Sequence, residues 1–395
     1  MSESHQVNVL FCTWGYFPDA SGGAEHQAQL QAEELQRRGH AVTVVCPRRG
    51  ATRSGVINGI KVHRLPFLPL PHCDQATYLV VLLIFLVLQI RRFQVVHIHL
   101  SHVQTGVICL AAWLRRRPVY AKISRGGSGG DVEYLYRRWI IRRFVLPYPT
   151  FQAISDQIFD DLLAAGVPMN HIVRISNGVD LGSSQLLAAT ERSELRKRLG
   201  LPVEALIVLY VGRFVPVKGL DFLLDAWSRL GQADSVLVLV GRRSSDPQQP
   251  ESAIDGNTDK GSTRGVIVRD WTEQIADYYA VADIFVLPSR SEGMSNALLE
   301  AMASSLPVIT TRVGSAASMI EDRTSGCLIS PDEPEELLQS LRALMADPEL
   351  RARLGAAARR DVAASYSIHS VVTRIEAQYG LLLNRKPAVG GSSSG

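Results

Sequence analysis

Short apolar, β-branched runs alternate with helical patterns from one end of the chain to the other. Val7–Cys12, Ala41–Cys46, Gln94–His99, Val119–Ile123 and Ile172–Ile175 have the length and composition of strands, with helices predicted at Ala24–Arg38 and Gln157–Ala165. The pattern pauses over the polar stretch Gly182–Lys197 and then restarts. Strands are predicted at Leu206–Val211, Val236–Val240, Val266–Arg269, Ile284–Leu287 and Val308–Thr310, and helices at Leu220–Leu230, Glu273–Val281 and Ala297–Ser304. Glu333–Met345, Pro348–Ala364 and Ile368–Leu383 form a helical tail. Strands that are apolar along their whole length belong to parallel sheets covered on both faces. Two such series predict two doubly wound α/β domains, residues 1–185 and 186–367, with the last helix (368–384) packing back on the first domain and a disordered Gly/Ser end at 385–395. In such domains ligands bind beyond the carboxyl ends of the strands, so a site shared between two facing domains is expected. Ser244–Arg264, rich in Ser, Asp, Pro, Gln and Gly, reads as a mobile insertion.

One helical segment stands apart. Tyr78–Leu88 is almost wholly apolar and is followed by Gln89 and Arg91-Arg92. The run falls short of the ~18–20 residues that span a bilayer, and the expectation is a helix buried between a sheet and its neighbours, with a membrane-dipping helix as the alternative.

The bulk figures agree with a folded protein of two or three domains, at 395 residues, 46% hydrophobic and 20% charged. The formal charge of +4 is unevenly placed. Met1–Asp180 carries 19 Lys and Arg against 12 Asp and Glu (+7), and the rest 23 against 26 (−3). A basic first half suits an anionic partner such as a phosphorylated lipid or a membrane surface, and a plain solvated surface explains it equally well. No nucleic-acid motif accompanies the charge. The five cysteines (Cys12, Cys46, Cys73, Cys109, Cys327) are scattered and never spaced C-x-x-C, which argues against a disulfide framework or zinc and fits a reducing cytoplasm. The polar start, Met1–Asn8, has no signal-peptide pattern.

Two loops carry the candidate chemistry. Pro288-Ser289-Arg290-Ser291-Glu292-Gly293-Met294-Ser295-Asn296 joins a predicted strand to a helix containing Glu300. Such a loop aims backbone N–H groups and the positive helix end at one point, an anion site. A carboxylate accepts two hydrogen bonds from vicinal hydroxyls, so Glu292 and Glu300 can hold sugars on either side of a phosphate, although an isolated pair of glutamates is more often merely solvated. Val211-Gly212-Arg213-Phe214-Val215-Pro216-Val217-Lys218-Gly219 follows another strand and offers Arg213 and Lys218 to a diphosphate, Arg as a fork and Lys as a point charge.

The G-R-x(4)-K-G and E-x(7)-E patterns, in this order and at this separation, resemble those of retaining glycosyltransferases of family four, which have the GT-B fold of two Rossmann-like domains. The similarity runs over nearly the whole chain. The resemblance implies that Arg213 and Lys218 bind the donor diphosphate and neutralise the leaving nucleotide, and that Glu300 holds the ribose hydroxyls. Glu292 and the Gly293, Met294, Ser295 and Asn296 segment would hold the donor sugar and its phosphate. It also implies that the amide of Gly23, in the loop Gly22-Gly23-Ala24-Glu25, approaches the diphosphate from the other domain, and that a histidine of His97-Ile98-His99-Leu100-Ser101-His102 contacts the donor sugar. His102 or His99 is the expected one, with His97 buried. Metal ligation by these histidines lacks a supporting carboxylate, and no D-x-D triplet occurs, so no metal and no resident cofactor are expected.

Arg125-Gly126-Gly127-Ser128-Gly129-Gly130-Asp131 is assigned to acceptor binding or cleft closure, and the basic, aromatic Tyr134–Val145 to an anionic membrane or an ordinary solvated helix. Two departures from the family pattern, Gly241-Arg242-Arg243 and Arg269-Asp270, fall near where the base would sit and leave UDP or GDP open. The expected activity is metal-independent transfer of a hexose from a UDP- or GDP-sugar to a saccharide or lipid-linked saccharide, with retention, in the cytoplasm or on the inner face of the membrane. A dehydrogenase would need G-x-G-x-x-G after the first strand, where Trp14-Gly15-Tyr16-Phe17-Pro18-Asp19 stands instead. A non-catalytic sugar-nucleotide-binding protein of the same fold is the other rival.

Overall fold

The computed structural model describes residues 6–19, 22–68, 74–99, 104–126, 130–136, 148–182, 187–231, 234–242 and 265–384. The predicted insertion 244–264 lies outside them, as do His102, Gly127–Gly129 and most of Tyr134–Val145. The chain divides into two compact units, residues 1–178 with 368–395, and residues 179–367.

The first unit contains an eight-stranded sheet. Its strands are β1 (Asn8–Cys12), β2 (Ala41–Pro47), β3 (Gly55–Ile57), β4 (Ile60–Leu65), β5 (Val95–His99), β6 (Val119–Ile123), β7 (Thr150–Ala153) and β8 (Ile172–Arg174), ordered β3-β4-β2-β1-β5-β6-β7-β8. All pairs are parallel except the edge hairpin β3–β4, which turns at Asn58 and Gly59, both at positive φ. An Asn-Gly pair adopts that turn without strain. Helix Gly23–Arg37 and the C-terminal helix Ile368–Asn384 join one core with the sheet, in which Phe11, Val44 and Val62 meet Leu35, Ile375 and Tyr379. Gln27 of the first helix clamps Gly178, donating to its carbonyl at 2.6 Å and accepting from its amide at 3.0 Å.

The apolar run Tyr78–Leu88 forms the helix Asp74–Gln89, but it is not buried all round. Tyr78, Leu82 and Leu86 are buried, whereas Val80, Ile84 and Leu88 are exposed. The expectation of a helix buried between the sheet and its neighbours is corrected by this exposed side, and with Ile90–Arg92 the helix runs to 19 residues, long and apolar enough by length and composition alone to cross a membrane. A run that is apolar at every position carries no 3.6-residue periodicity to say which face is covered.

The second unit holds a six-stranded, all-parallel sheet ordered β11-β10-β9-β12-β13-β14. Its strands are β9 (Leu206–Val211), β10 (Ser235–Val240), β11 (Val266–Arg269), β12 (Ile284–Leu287), β13 (Val308–Thr311) and β14 (Cys327–Ile329). The strand order runs outward in both directions from the β9–β12 pair, which makes the carboxyl ends of β9 and β12 the topological switch point where a crevice opens.

Candidate active site

Both candidate loops leave the sheet at that switch point. After β9 the chain passes Gly212 and makes one tight turn, Pro216–Lys218, before Gly219 starts the helix Leu220–Ser228. After β12 it runs through Pro288–Ser295 into the helix Asn296–Ala303. The loops are locked together by backbone contact. Gly219 has φ +67°, and a Cβ there would sit 2.0 Å from the carbonyl oxygen of Pro288. Arg290 completes the lock: its amide donates to Val217 O at 2.8 Å, and its guanidinium reaches Pro216 O at 2.7 Å and both carboxylate oxygens of Asp221 at 2.8 Å.

Gly219→Ala is therefore expected to lower thermal stability by clearly more than the ~1–2 kcal/mol of left-handed strain alone. Gly231→Ala is the control, since Gly231 has φ +64° with nothing within 4 Å of an added Cβ. Equal losses of melting temperature in the two variants would contradict the contact.

The second loop is also held from below. Thr310 Oγ1 donates to Leu287 O at 2.9 Å, and Thr311 Oγ1 donates to Ser289 O. The amide and hydroxyl of Ser315 donate to Gly293 O at 3.0 and 2.9 Å. Gly314, at φ +57°, passes so close that a Cβ would lie 2.4 Å from Glu292 O. Within this cradle Glu292 Oε1 accepts from Ser289 Oγ at 2.8 Å and from Lys218 Nζ, which joins the two loops by an ion pair between partly buried groups. Arg213 is exposed, its carbonyl accepting from Tyr210 OH at 3.0 Å. Burial first, and the nearby Glu292 carboxylate second, push the Tyr210 phenol well above its usual range, with Arg213 opposing. Met294 is buried, and Ser295 caps the helix by accepting from Leu298 N at 3.3 Å, with Asn296 at the first helical position. A positive helix end, two cations and a cradled carboxylate thus lie at one pair of strand ends, a constellation suited to a phosphate group with hydroxyls beside it.

Glu300 lies one turn into the same helix and is half-buried. Burial raises its carboxyl to about 7, with the Tyr279 hydroxyl pulling the other way. Tyr279 comes from the helix Ile275–Val281 and is itself buried. Beside β10, Gly241 is required because a Cβ would lie 1.8 Å from Gly212 O. Arg242 then lies over the Trp271 ring at 5.5 Å, and Gly241 N donates to Arg269 O at 3.1 Å, so both departures from the family pattern fall at neighbouring strand ends.

In the first unit Gly23 is exposed at the first position of its helix, with Gly22 as the N-cap. His97 and His99 lie on one side of β5, stacked at 4.2 Å, and His97 Nδ1 shares a 2.6 Å hydrogen bond with Tyr379 OH. Burial holds both imidazoles well below their usual range, Lys122 adding to the effect and His97 adding to it for His99. His99 is 1% exposed and packs on Phe11: in a sheet covered on both faces, a strand-end ring can be enclosed as fully as one in mid-strand. The other expected histidine, His102, lies outside the described residues.

Lys122, next to His99 on the adjacent strand, is 1% exposed and burial pushes it down to about 7 from 10.5. With the folded value below the unfolded one, stability is full above pH 10.5 and is lost as pH falls toward 7, by at most about 1.4 kcal/mol per pH unit. Lys122→Met is expected to be more stable than wild type in urea at pH 7, the gap closing by pH 10. Parallel curves at both pH values would contradict it.

Ser289, Arg290, Thr311, Gly314, Ser315 and Tyr279 were not singled out by the sequence, although the Thr-Thr-x-x-Gly-Ser run that closes β13 and leads out of it mirrors the strand-then-glycine pattern of the other two loops. Among the described residues no group of three or more His, Cys, Asp or Glu could hold a metal ion.

Two α/β units built on largely parallel sheets, with two glycine-bearing loops meeting at a switch point, define the class of fold, GT-B. Residues 21–183 match the family model described as Glycosyltransferase Family 4, and residues 205–347 match the one described as Glycosyl transferases group 1. The chain belongs to this family. It is similar to D-inositol 3-phosphate glycosyltransferase of Xylanimonas cellulosilytica, 33% identical over 199 residues, covering 49% of this chain and 48% of that one. It is also similar to sulfoquinovosyl transferase SQD2 of Arabidopsis thaliana, 29% identical over 242 residues, covering 60% and 46%. The match spans about half the length of these curated relatives. Among solved structures, HepE of Anabaena in complex with UDP-glucose superposes with a TM-score of 0.80 at 19% identity, covering 95% of this chain and 100% of that one, a likeness of fold.

Proposed function

We propose that the chain transfers a hexose from a nucleoside diphosphate sugar to an acceptor hydroxyl, with retention of configuration and without a divalent metal. The observation that carries this reading is the coupling of the two loops at the β9–β12 switch point, where Lys218 and Glu292 pair beside a capped helix N-terminus. Lys218 and Arg213 would face the diphosphate, and the helix end would add its positive partial charge as negative charge builds on the leaving phosphate. Glu292 would accept from donor-sugar hydroxyls, and Glu300 from the ribose. The C1–O bond to the phosphate breaks as the acceptor oxygen bonds C1 on the same face, and the acceptor proton passes to a phosphate oxygen, so no protein base is required.

UDP is the favoured nucleotide, because HepE was crystallised with UDP-glucose. The acceptor is proposed to be anionic, a phosphorylated polyol or a lipid-linked saccharide of glycolipid or cell-surface polysaccharide synthesis. The +7 charge of residues 1–180 and the name of the inositol 3-phosphate relative support that choice. The expected location is the cytoplasm or the inner face of the membrane. Incubation with a panel of UDP- and GDP-hexoses in excess chelator is expected to release nucleoside diphosphate from one series, with the donor's anomeric configuration kept in the product by NMR. Release that depends on added Mg²⁺ or Mn²⁺, or an inverted product, would overturn the mechanism. Nucleotide binding with no turnover on any acceptor would favour the non-catalytic rival.

A further inference from the structure

Two neighbouring helices of the first unit turn apolar faces to solvent. In Asp74–Gln89 the buried Tyr78, Leu82 and Leu86 recur every four residues, and Val80, Leu83, Ile84, Val87 and Leu88 occupy the opposite face, Leu88 being 68% exposed. Helix Gln104–Leu114 packs beside it, joined by the 3.1 Å hydrogen bond from Tyr78 OH to Gln104 Oε1. It repeats the arrangement with Leu110, Trp113 and Leu114, Trp113 being 61% exposed. Single exposed apolar residues are ordinary, but two packed helices that each expose several mark an interaction surface.

The charge around this face is one-sided. From Asp74 to Arg117 the sequence has five arginines against a single acid, Asp74 at the start of the first helix. The arginines follow the C-terminal ends of the two helices, where Arg117 donates to Arg91 O at 2.9 Å. Among the described residues Arg91, Arg92 and Arg116 are exposed and make no ion pair. A pocket of about 170 Å³ beside the same helix is lined by Lys61, His63, Phe85, Gln89 and Arg92, which adds Lys61 as a further cation at its edge.

We propose that this face docks on an anionic lipid membrane, its apolar side chains in the acyl boundary and its arginines among the headgroup phosphates. Held to the sheet by Tyr78, Leu82 and Leu86, the helix lies along the membrane surface. A second copy of the chain is the poorer occupant, because a two-fold contact sets the same patch against itself and brings the arginine clusters of both copies together.

The test is flotation of the full chain with vesicles of phosphatidylcholine alone or with phosphatidylglycerol, alongside light scattering without lipid. A lipid-free monomer is expected to float only with the anionic vesicles. Leu88→Glu/Trp113→Glu is expected to lower the bound fraction at least tenfold, and Arg91→Glu/Arg92→Glu to weaken it and flatten its salt dependence, with unchanged circular dichroism. Leu88→Ser/Trp113→Ser serves if the charged pair fails to fold. Absence of flotation, equal binding to both vesicles, undiminished binding of the double variants, or a lipid-free dimer broken by them would overturn the proposal. Nucleotide is absent throughout, so the outcome is independent of the donor assignment.

Discussion

Lys218→Ala is expected to reduce turnover about 100- to 1,000-fold, the effect of removing one preorganised charge-stabilising donor (~3–4 kcal/mol). The loss should fall mainly on kcat, because charge on the leaving phosphate peaks in the transition state and only then is the ammonium used fully. The same substitution leaves the partly buried Glu292 carboxylate with Ser289 Oγ as its remaining hydrogen-bond donor in the cradle. A small drop in melting temperature should therefore accompany the kinetic loss. Lys218→Arg keeps the charge but replaces a compact ammonium by a planar fork, and should recover only part of the rate. Steady-state kinetics separate the two readings: a raised KM at unchanged kcat would mean that Lys218 serves ground-state binding alone.

Glu300→Gln is expected to weaken nucleoside diphosphate binding by about 1–3 kcal/mol, roughly 5- to 150-fold, because a charged acceptor for two hydroxyls becomes a neutral one. The free protein raises this carboxyl to about 7 by burial. A raised folded value means that the stability this group contributes is full below its ordinary value of 4.5 and is lost as pH rises through about 7. Ribose hydroxyls that donate to the ionised form reverse that sign on binding. Wild-type affinity should accordingly fall as pH drops from 8 to 6, approaching tenfold per unit, and the Gln variant should lack this component. The terminal phosphate of the ligand titrates in the same range, so the quantity to read is the difference between wild type and variant. A difference constant over this range would contradict the ribose role.

The ten strands expected from apolar runs all formed, and most of them are runs buried on both faces, which announce themselves without periodicity. The four others had weaker signals. β7 (Thr-Phe-Gln-Ala) is half polar and β14 (Cys-Leu-Ile) has a single β-branched residue, and in β3–β4 the Asn58-Gly59 turn was a stronger sign than the strands around it. Helix Ala189–Arg198 was hidden in a stretch read as polar, since it buries little beyond Leu195 and the stem of Arg196. At the site, residues that present charge were legible by type and spacing. Those that hold the loops were not, because Arg290, Thr311 and Gly314 act through backbone carbonyls that only the folded chain brings near. His99 shows the reverse limit, a chemically suggestive residue enclosed by the sheet.

The central claim, that a donor nucleotide sits at the β9–β12 switch point with its ribose on Glu300, is tested most directly by calorimetric titration of UDP and GDP into wild type and Glu300→Gln, in chelator at pH 8. One nucleotide binding wild type and losing roughly 5- to 150-fold in the variant is the predicted result. Equal affinity in the two proteins, or no binding of either nucleotide, would contradict it.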